Sequence, residues 1–310
     1  MEQSIKYLLR HEIDRGKWDE CIQQSTNGVI YATSIYLDHM CTNWSALVLN
    51  DYEAVFPLPW RKKWTISYIY QPFLVAQLGA FGRNISLPLF NDFLSAIPRV
   101  FRLIDIPLNQ QNVFPGSILP LYLRTNYVLP LDQPYDDLCV RYRDNIKRNI
   151  KRAKQVGCFT KKGIPSEDVL ALAKEQHSKD EDGLERFARL YAQFRETNTA
   201  ITYGIYSNQQ QLLASAVFLF YKKRAYYILV GNHPNGRTLG ASHLLIDSFI
   251  RDHAGSDLLL DFEGSDYKNL AFFYSSFGAV EEKYAALRYN RLPWFARWLK
   301  SKAPHLRRFT

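Results

Sequence analysis

The stretch AYYILVGNHPNGRTLGASHLLIDSFI, residues 225–250, decides how this chain is read. It opens with a short apolar run rich in β-formers, after which Gly231, Asn232, Pro234, Asn235 and Gly236 cluster as turn formers. Ala241, Leu245 and Phe249 then recur at helical spacing, which predicts a helix beginning near Leu239 or Gly240. Strand, glycine-bearing loop and helix in direct succession have the layout of an anion cradle. The first amides of such a helix have no intrahelical partner and sit at the positive end of its dipole, which suits a phosphate or diphosphate. In this reading Gly240 admits a ligand close to the backbone, and Arg237 adds a charge-assisted contact. A loop that only reverses the chain has the same composition, so the flanking sequence must decide.

The chain has 310 residues, enough for a sizeable core and, at about 150 residues per domain, for two domains. With 47% hydrophobic and 22% charged residues it belongs with globular proteins and not with disordered ones. The formal charge of +9 favours anionic partners without choosing among a nucleotide, RNA and a phospholipid face. Cys21, Cys41, Cys139 and Cys158 are scattered with no CxxC spacing, so neither a zinc site nor a disulfide framework is expected. The histidines show no HExxH pattern, and no metal is expected; GxxxxGK[ST] is absent, which argues against a P-loop enzyme. The N-terminus mixes acids into its first turns, unlike a signal peptide, and no apolar run approaches the ~20 residues that span a bilayer. The expected location is cytoplasmic, with a peripheral position at the inner membrane face as the extension of that reading.

Strands are expected over 5–9, 44–49, 53–58, 65–70, 101–106 and 127–131, with helices over 17–24, 34–40 and 88–97. Asn50-Asp51 reads as a hairpin turn, and Arg61-Lys62-Lys63 forms a basic corner. Pro130 and Pro134 bracket a polar turn that suggests a boundary between domains 1–133 and 134–310. The most basic helix follows, over 138–156. Ile146, Ile150 and Ala153 give it one apolar stripe, and the cations Arg141, Arg143, Lys147, Arg148, Lys151, Arg152 and Lys154 surround it. A solvated outer face is the preferred reading there, and a phosphate-binding strip the other. Helices over 166–177 and 183–196 lead to strands over 200–206, 212–221 and 225–230. After the opening helix come a strand over 258–262, a helix over 266–276 and a strand over 282–289.

This order resembles the GNAT acyltransferase fold. Arg237-Thr238-Leu239-Gly240-Ala241-Ser242 looks like the family's Arg/Gln-x-x-Gly-x-Gly/Ala loop, which holds the diphosphate of coenzyme A; Ser242 departs from the usual small residue. Phe273-Tyr274-Ser275-Ser276-Phe277-Gly278 resembles the aromatic segment whose tyrosine protonates the departing thiolate. A closer resemblance is to the FemAB-like branch, which carries two GNAT-type domains in tandem and includes peptidoglycan-bridge ligases. It rests on Arg148 to Ala153 with Gly157, on Leu260-Asp261-Phe262-Glu263-Gly264-Ser265, and on the Phe273 to Ala279 ending. The resemblance implies an α/β (α+β) fold of two tandem GNAT-like domains, each a mixed, mostly antiparallel sheet flanked by helices. The first domain is expected to be degenerate, the second to carry the chemistry and a basic aromatic tail.

It implies, further, transfer of an acyl group from acyl-CoA or acetyl-CoA to an amine acceptor. Tyr274 is the expected acid, Asp261 and Glu263 the paired carboxylates, and the amides of Leu229 or Val230 the oxyanion contact. Gly236, Arg237, Thr238, Gly240, Ala241 and Ser242 are the expected cofactor residues. Tyr274 has a structural counterpart as a core aromatic and Asp261 as a turn cap; His243 with Asp247, one helical turn apart, reads as a base with its orienter or, as such spacing more often gives, as a surface pair. Trp294, Phe295 and Trp298 amid cations make the tail over 292–310 either a membrane-interface segment or a packed terminal helix. The first suggests a lipid-linked or cell-envelope acceptor at an anionic membrane surface. The competing functions are an aminoacyl-tRNA-dependent ligase, the one case in which nucleic acid is a partner, and a non-catalytic binding protein on a degenerate GNAT frame.

Overall fold

The computed structural model describes residues 4–177, 180–264, 266–292 and 307–308. The chain forms two compact units, Met1–Thr125 with Lys283–Thr310, and Asn126–Glu282. The first unit contains β1 (Ile5–Leu9), α1 (Arg15–Gln24), α2 (Ser34–Met40), β2 (Asn43–Leu49), β3 (Ala54–Lys63), β4 (Ile66–Ile69), β5 (Phe81–Gly82), α3 (Leu87–Ala96) and β6 (Phe101–Pro107). β7 (Leu121–Pro130) carries the chain across. The second unit holds α4 (Tyr135–Val140), α5 (Asp144–Gln155), β8 (Phe159–Lys162), α6 (Ser166–Lys174) and α7 (Glu181–Glu196). It continues with β9 (Ala200–Tyr206), β10 (Leu212–Tyr221), β11 (Arg224–Asn232), α8 (Pro234–Leu239), α9 (Ala241–His253), β12 (Leu259–Asp261) and α10 (Lys268–Ser275). β13 (Val280–Asn290) returns the chain to the first unit. The sequence suggests one division after residue 133; the units divide within β7 and again within β13, whose residues Ala286 to Asn290 pair with β6.

Each unit is a mixed, mostly antiparallel sheet with helices, as expected for tandem GNAT-like domains. In the first the order is β1-β2-β3-β4-β6-β13, and only β4 with β6 is parallel. In the second the order is β7-β12-β11-β10-β9-β8, and only β11 with β12 is parallel. β10 is buried over most of its length on both faces, which is why its sequence LLASAVFLFY shows no polar alternation. α9 lies across it, with Phe249 stacked on Phe218 at 3.8 Å between ring centroids, and each such fully buried aromatic contributes roughly 2–3 kcal/mol.

Local chemistry sets the helix ends. The Asp14 carboxylate accepts from the Lys17 amide at the start of α1, and Ser86 caps α3, which has Pro88 in its first turn. The helix expected over 138–156 is instead two. Between α4 and α5 the Arg143 amide leaves the helical ladder and donates to the Ser276 carbonyl at 2.9 Å. Ile146, Ile150 and Ala153 are buried and the cations of α5 point outward, as the solvated-face reading expects. β8, absent from the sequence reading, pairs with β9 as a short edge strand of only four residues. Most of the tail over 292–310, and Ser265, lie outside the described residues.

The segment before Gly240 corrects the sequence reading. It is a short helix, α8, and not an open loop. Gly240 ends it in the left-handed region, φ 79°, while starting α9. A Cβ at Gly240 would lie 2.6 Å from the Asn149 carbonyl oxygen, and one at Gly236 would lie 2.2 Å from that of Leu213. Both glycines therefore serve close contact with the protein itself. Gly240→Ala is expected to destabilise the protein by about 2 kcal/mol through strain and crowding, read as a lowered midpoint in urea denaturation.

Candidate functional site

β11 and β12 pair at only three positions, Arg224 with Leu259, Ala225 with Leu260 and Tyr226 with Asp261. Then they part: the Leu259 amide still donates toward β11, to the Lys223 carbonyl at 2.8 Å, whereas the Glu263 amide, of the same parity, turns instead to Asp261 Oδ1 at 2.7 Å. A cavity of about 490 Å³ opens where the strands separate. Tyr227, Ile228 and Val230 of β11 form one wall, and Phe262, Glu263 and Gly264 form the other. α10 closes it with Leu270, Phe273 and Tyr274, while Arg237, Ser242 and His243 border it from α8 and α9.

The register explains how β11 presents itself. Opposite β10, Phe218 pairs with Tyr227 and Val217 with Leu229, so Ile228 is the extra residue of a β-bulge. A bulge interrupts the ladder and re-aims the backbone, and here it does so beside the cavity. Leu229, named from the sequence, is fully buried; Val230 borders the cavity. Ile228 was missed, since a bulge depends on the partner strand and leaves no mark in its own sequence.

Tyr274 is almost wholly buried, with its ring stacked on Phe262 at 4.6 Å. Burial raises the pKa of its hydroxyl, and the charge of Glu263 raises it further, so it holds its proton at neutral pH. Glu263 is a non-glycine residue in the left-handed region, φ 62°. Such strain persists only where the surroundings enforce it. The enforcing contact is a hydrogen bond of 2.7 Å from the Glu263 amide to Asp261 Oδ1.

Asp261 itself does not border the cavity. It is buried in a network in which Arg224 Nη1 reaches Asp261 Oδ2 at 2.6 Å and Arg224 Nη2 reaches Glu282 Oε1 at 2.8 Å. Asn126 donates to both carboxylates, at 2.9 and 3.1 Å. Burial would pull the Arg224 pKa down; the neighbouring Asp261 and Glu282 outweigh it and hold it up. The two carboxylates paired in the sequence reading thus separate, Glu263 at the cavity and Asp261 beneath it as the clamp of its backbone.

The other expected residues divide likewise. Arg237 and Ser242 border the cavity, and the Ser242 hydroxyl donates to the Asn232 side chain. Gly236, Gly240 and Ala241 are buried, and the Thr238 hydroxyl is 3.5 Å from the Pro234 carbonyl. The structure therefore brings Val230, Arg237, Ser242, Glu263 and Tyr274 together and leaves Leu229, Gly236, Thr238, Gly240, Ala241 and Asp261 outside. On the side where a Cβ would stand, Gly240 faces the Asn149 carbonyl.

His243 borders the cavity without Asp247 as its partner. Asp247 does not orient it, since that carboxylate accepts from Tyr135 at 2.6 Å and from Arg251 at 3.0 Å. The His243 ring lies edge-on to Phe273, 5.0 Å away, and among the described residues its Nδ1 has no hydrogen-bond partner. Burial pushes its pKa down to about 4, and its place in the first turn of α9 works in the same direction. Among the described residues no cluster of three or more potential ligands is placed to hold a metal, and no helix is long and apolar enough to cross a membrane.

Residues 140–269 match the family model described as an acetyltransferase (GNAT) domain. This stretch is a GNAT domain. The whole chain shares its fold with FemX, at TM-score 0.61 and 13% identity over 92% of this chain and 97% of that one. It is similar also to a tandem GNAT protein from the clavulanic acid biosynthesis pathway, at TM-score 0.56 and 12% identity over 94% and 99%. L-PGS from Bacillus licheniformis aligns at TM-score 0.55 and 12% identity over 90% and 93%. No curated protein matches the sequence. The FemAB-like tandem GNAT resemblance read from the motifs is borne out, and at these identities the structural likeness is one of fold.

Two outcomes follow from the site's electrostatics. Arg224→Met leaves the buried Asp261 and the half-buried Glu282 without their cation and should cost about 3–5 kcal/mol in urea denaturation. The unfolded His243 binds a proton near its ordinary pKa of 6.5, whereas the folded one stays neutral down to about 4. Between these values the unfolded state holds more protons, so this residue makes stability fall as pH drops. His243→Gln should flatten that part of a stability-against-pH curve.

Proposed function

We propose that the second unit transfers an acyl group from a thioester donor, acyl-CoA, to an amine acceptor in the cavity between β11 and the segment after β12. One observation carries this reading: the parting of two parallel strands opens a cavity bordered by a protonated tyrosine, a carboxylate and a neutral imidazole. The amine attacks the acyl carbonyl, the C–N bond forms, and the C–S bond breaks. Glu263 draws the amine into place as a carboxylate, and the amine proton passes to Glu263 or to the neutral His243. Main-chain amides at the Ile228 bulge and Val230 meet the oxyanion, and Tyr274 protonates the departing thiolate.

Low dielectric strengthens each of these contacts, and Phe262, Phe273 and Tyr227 supply it. Arg237, exposed at the border of the cavity, offers a cation for the donor's phosphates. An envelope-related or lipid-linked amine is the acceptor class that the FemAB-like resemblance favours, and a cytoplasmic location accords with it. The second reading is an aminoacyl-tRNA donor. It is favoured by the packing of Gly236 and Gly240 against protein backbone, which accounts for both glycines without a ligand.

Calorimetric titration with acetyl-CoA should show binding, and Tyr274→Phe should lower kcat roughly 100-fold while leaving that binding unchanged. Absence of any binding sinks the thioester donor; full activity in the phenylalanine variant sinks the role of Tyr274.

A further inference from the structure

The β3–β4 hairpin in the first unit has no part in this chemistry, yet it carries an unusual side chain at its tip. Its register pairs Trp60 with Ile69, Arg61 with Tyr68, Lys62 with Ser67 and Lys63 with Ile66, leaving Trp64-Thr65 as a two-residue turn. Trp64 is 80% exposed. Tryptophan buries more apolar surface than any other residue when it is given a partner, and among the described residues this ring has only the Lys63 ammonium over it. It is also held at φ 54°, a conformation that glycine or asparagine adopts at much lower cost in such a turn. A bulky ring in a strained, exposed position is a poor choice for folding and a reasonable one for contact with something outside the molecule.

The charges around the tip indicate what that is. No acidic residue occurs between Glu53 and Asp92, whereas Arg61, Lys62 and Lys63 follow one another directly. Among the described residues no carboxylate pairs with these three cations. Lys62 and Lys63 are exposed, and the Arg61 guanidinium lies over the Tyr70 ring at 4.4 Å, packed edge-to-face with Tyr68 in turn. We propose that this hairpin tip is an insertion point for an anionic lipid bilayer, with Trp64 entering the headgroup region and Lys62, Lys63 and Arg61 facing its phosphates.

Three features favour a bilayer over a nucleic acid. The Lys63 ammonium lies 5.5 Å from the Trp64 ring centroid, over the face a base would stack on. A single tip ring offers no platform for successive bases, which single-strand binding uses. The opposing Ile66 is aliphatic and suits acyl chains, while indole prefers the membrane–water boundary and basic residues the anionic surface above it.

The test uses the full chain in co-sedimentation with vesicles of phosphatidylglycerol and phosphatidylcholine, against vesicles of phosphatidylcholine alone and a single-stranded RNA followed by fluorescence anisotropy. Binding is expected to the anionic vesicles only and to weaken with salt. Trp64→Ala should weaken it roughly tenfold, and Lys62→Gln with Lys63→Gln by a similar factor or more. The side chains are exposed, so thermal midpoints and acetyl-CoA titrations of the variants should match the parent, which separates this result from the fate of the proposed catalysis. Equal vesicle binding by parent and variants overturns the proposal, as does indifference to lipid charge. Loss of RNA binding with unchanged vesicle binding overturns it in favour of the nucleic acid.

Discussion

The second unit depends on one event in its sheet: two parallel strands stay together for three residues and then separate. A sheet normally satisfies its backbone by pairing, and a gap between neighbouring strands has to be held open by other contacts. Here the holding is done at the point of divergence. Arg224 at the base of β11 is clamped to Asp261 at the end of β12 and to Glu282, with Asn126 completing the buried network. Phe262 continues the pairing with β7, and the Glu263 amide turns to Asp261 instead of β11. Cavity, bulge and strained Glu263 all lie immediately beyond that clamp.

The same arrangement divides labour between two carboxylates that look alike in sequence. Asp261 is neutralised by a guanidinium and spends an oxygen on the Glu263 amide. Glu263 is held in a conformation that it would not choose, facing a cavity in which its charge raises the pKa of Tyr274. His243 is pushed the other way by burial, toward the neutral form. Groups with opposite tendencies in a small aromatic enclosure are what proton transfer between an amine and a leaving group needs.

Much of this was legible along the chain. Most of the strand and helix order of both halves follows from apolar periodicity, apart from β5, β8, α8 and the split of α4 from α5, and the apolar stripe of α5 is buried as its spacing requires. The Phe273 to Gly278 ending marked the helix that supplies Tyr274. The glycine-bearing turn was the least well read. Gly236 and Gly240 are there because Leu213 and Asn149 press against them, and a backbone carbonyl from a distant element is invisible in the local sequence. The break between α4 and α5 has the same origin, a hydrogen bond to Ser276 more than a hundred residues away. His243 was noticed for the wrong partner, because one-turn spacing places two side chains near each other without saying which of them turns elsewhere.

The sequence by itself determined most of the element order, the GNAT-like character of the second half, the basic surface of α5, and the short list from which the site is drawn. These depend on periodicity, composition and local motif, all of which are properties of neighbouring residues. Tertiary structure alone decided where β11 leaves β12, that Ile228 is the bulged residue, that Asp261 is a clamp and Glu263 its beneficiary, and that the two glycines face protein. Each of those is settled by pairing register or by a contact between residues remote in the chain, and steric exclusion at such a contact has no counterpart in the order of the letters.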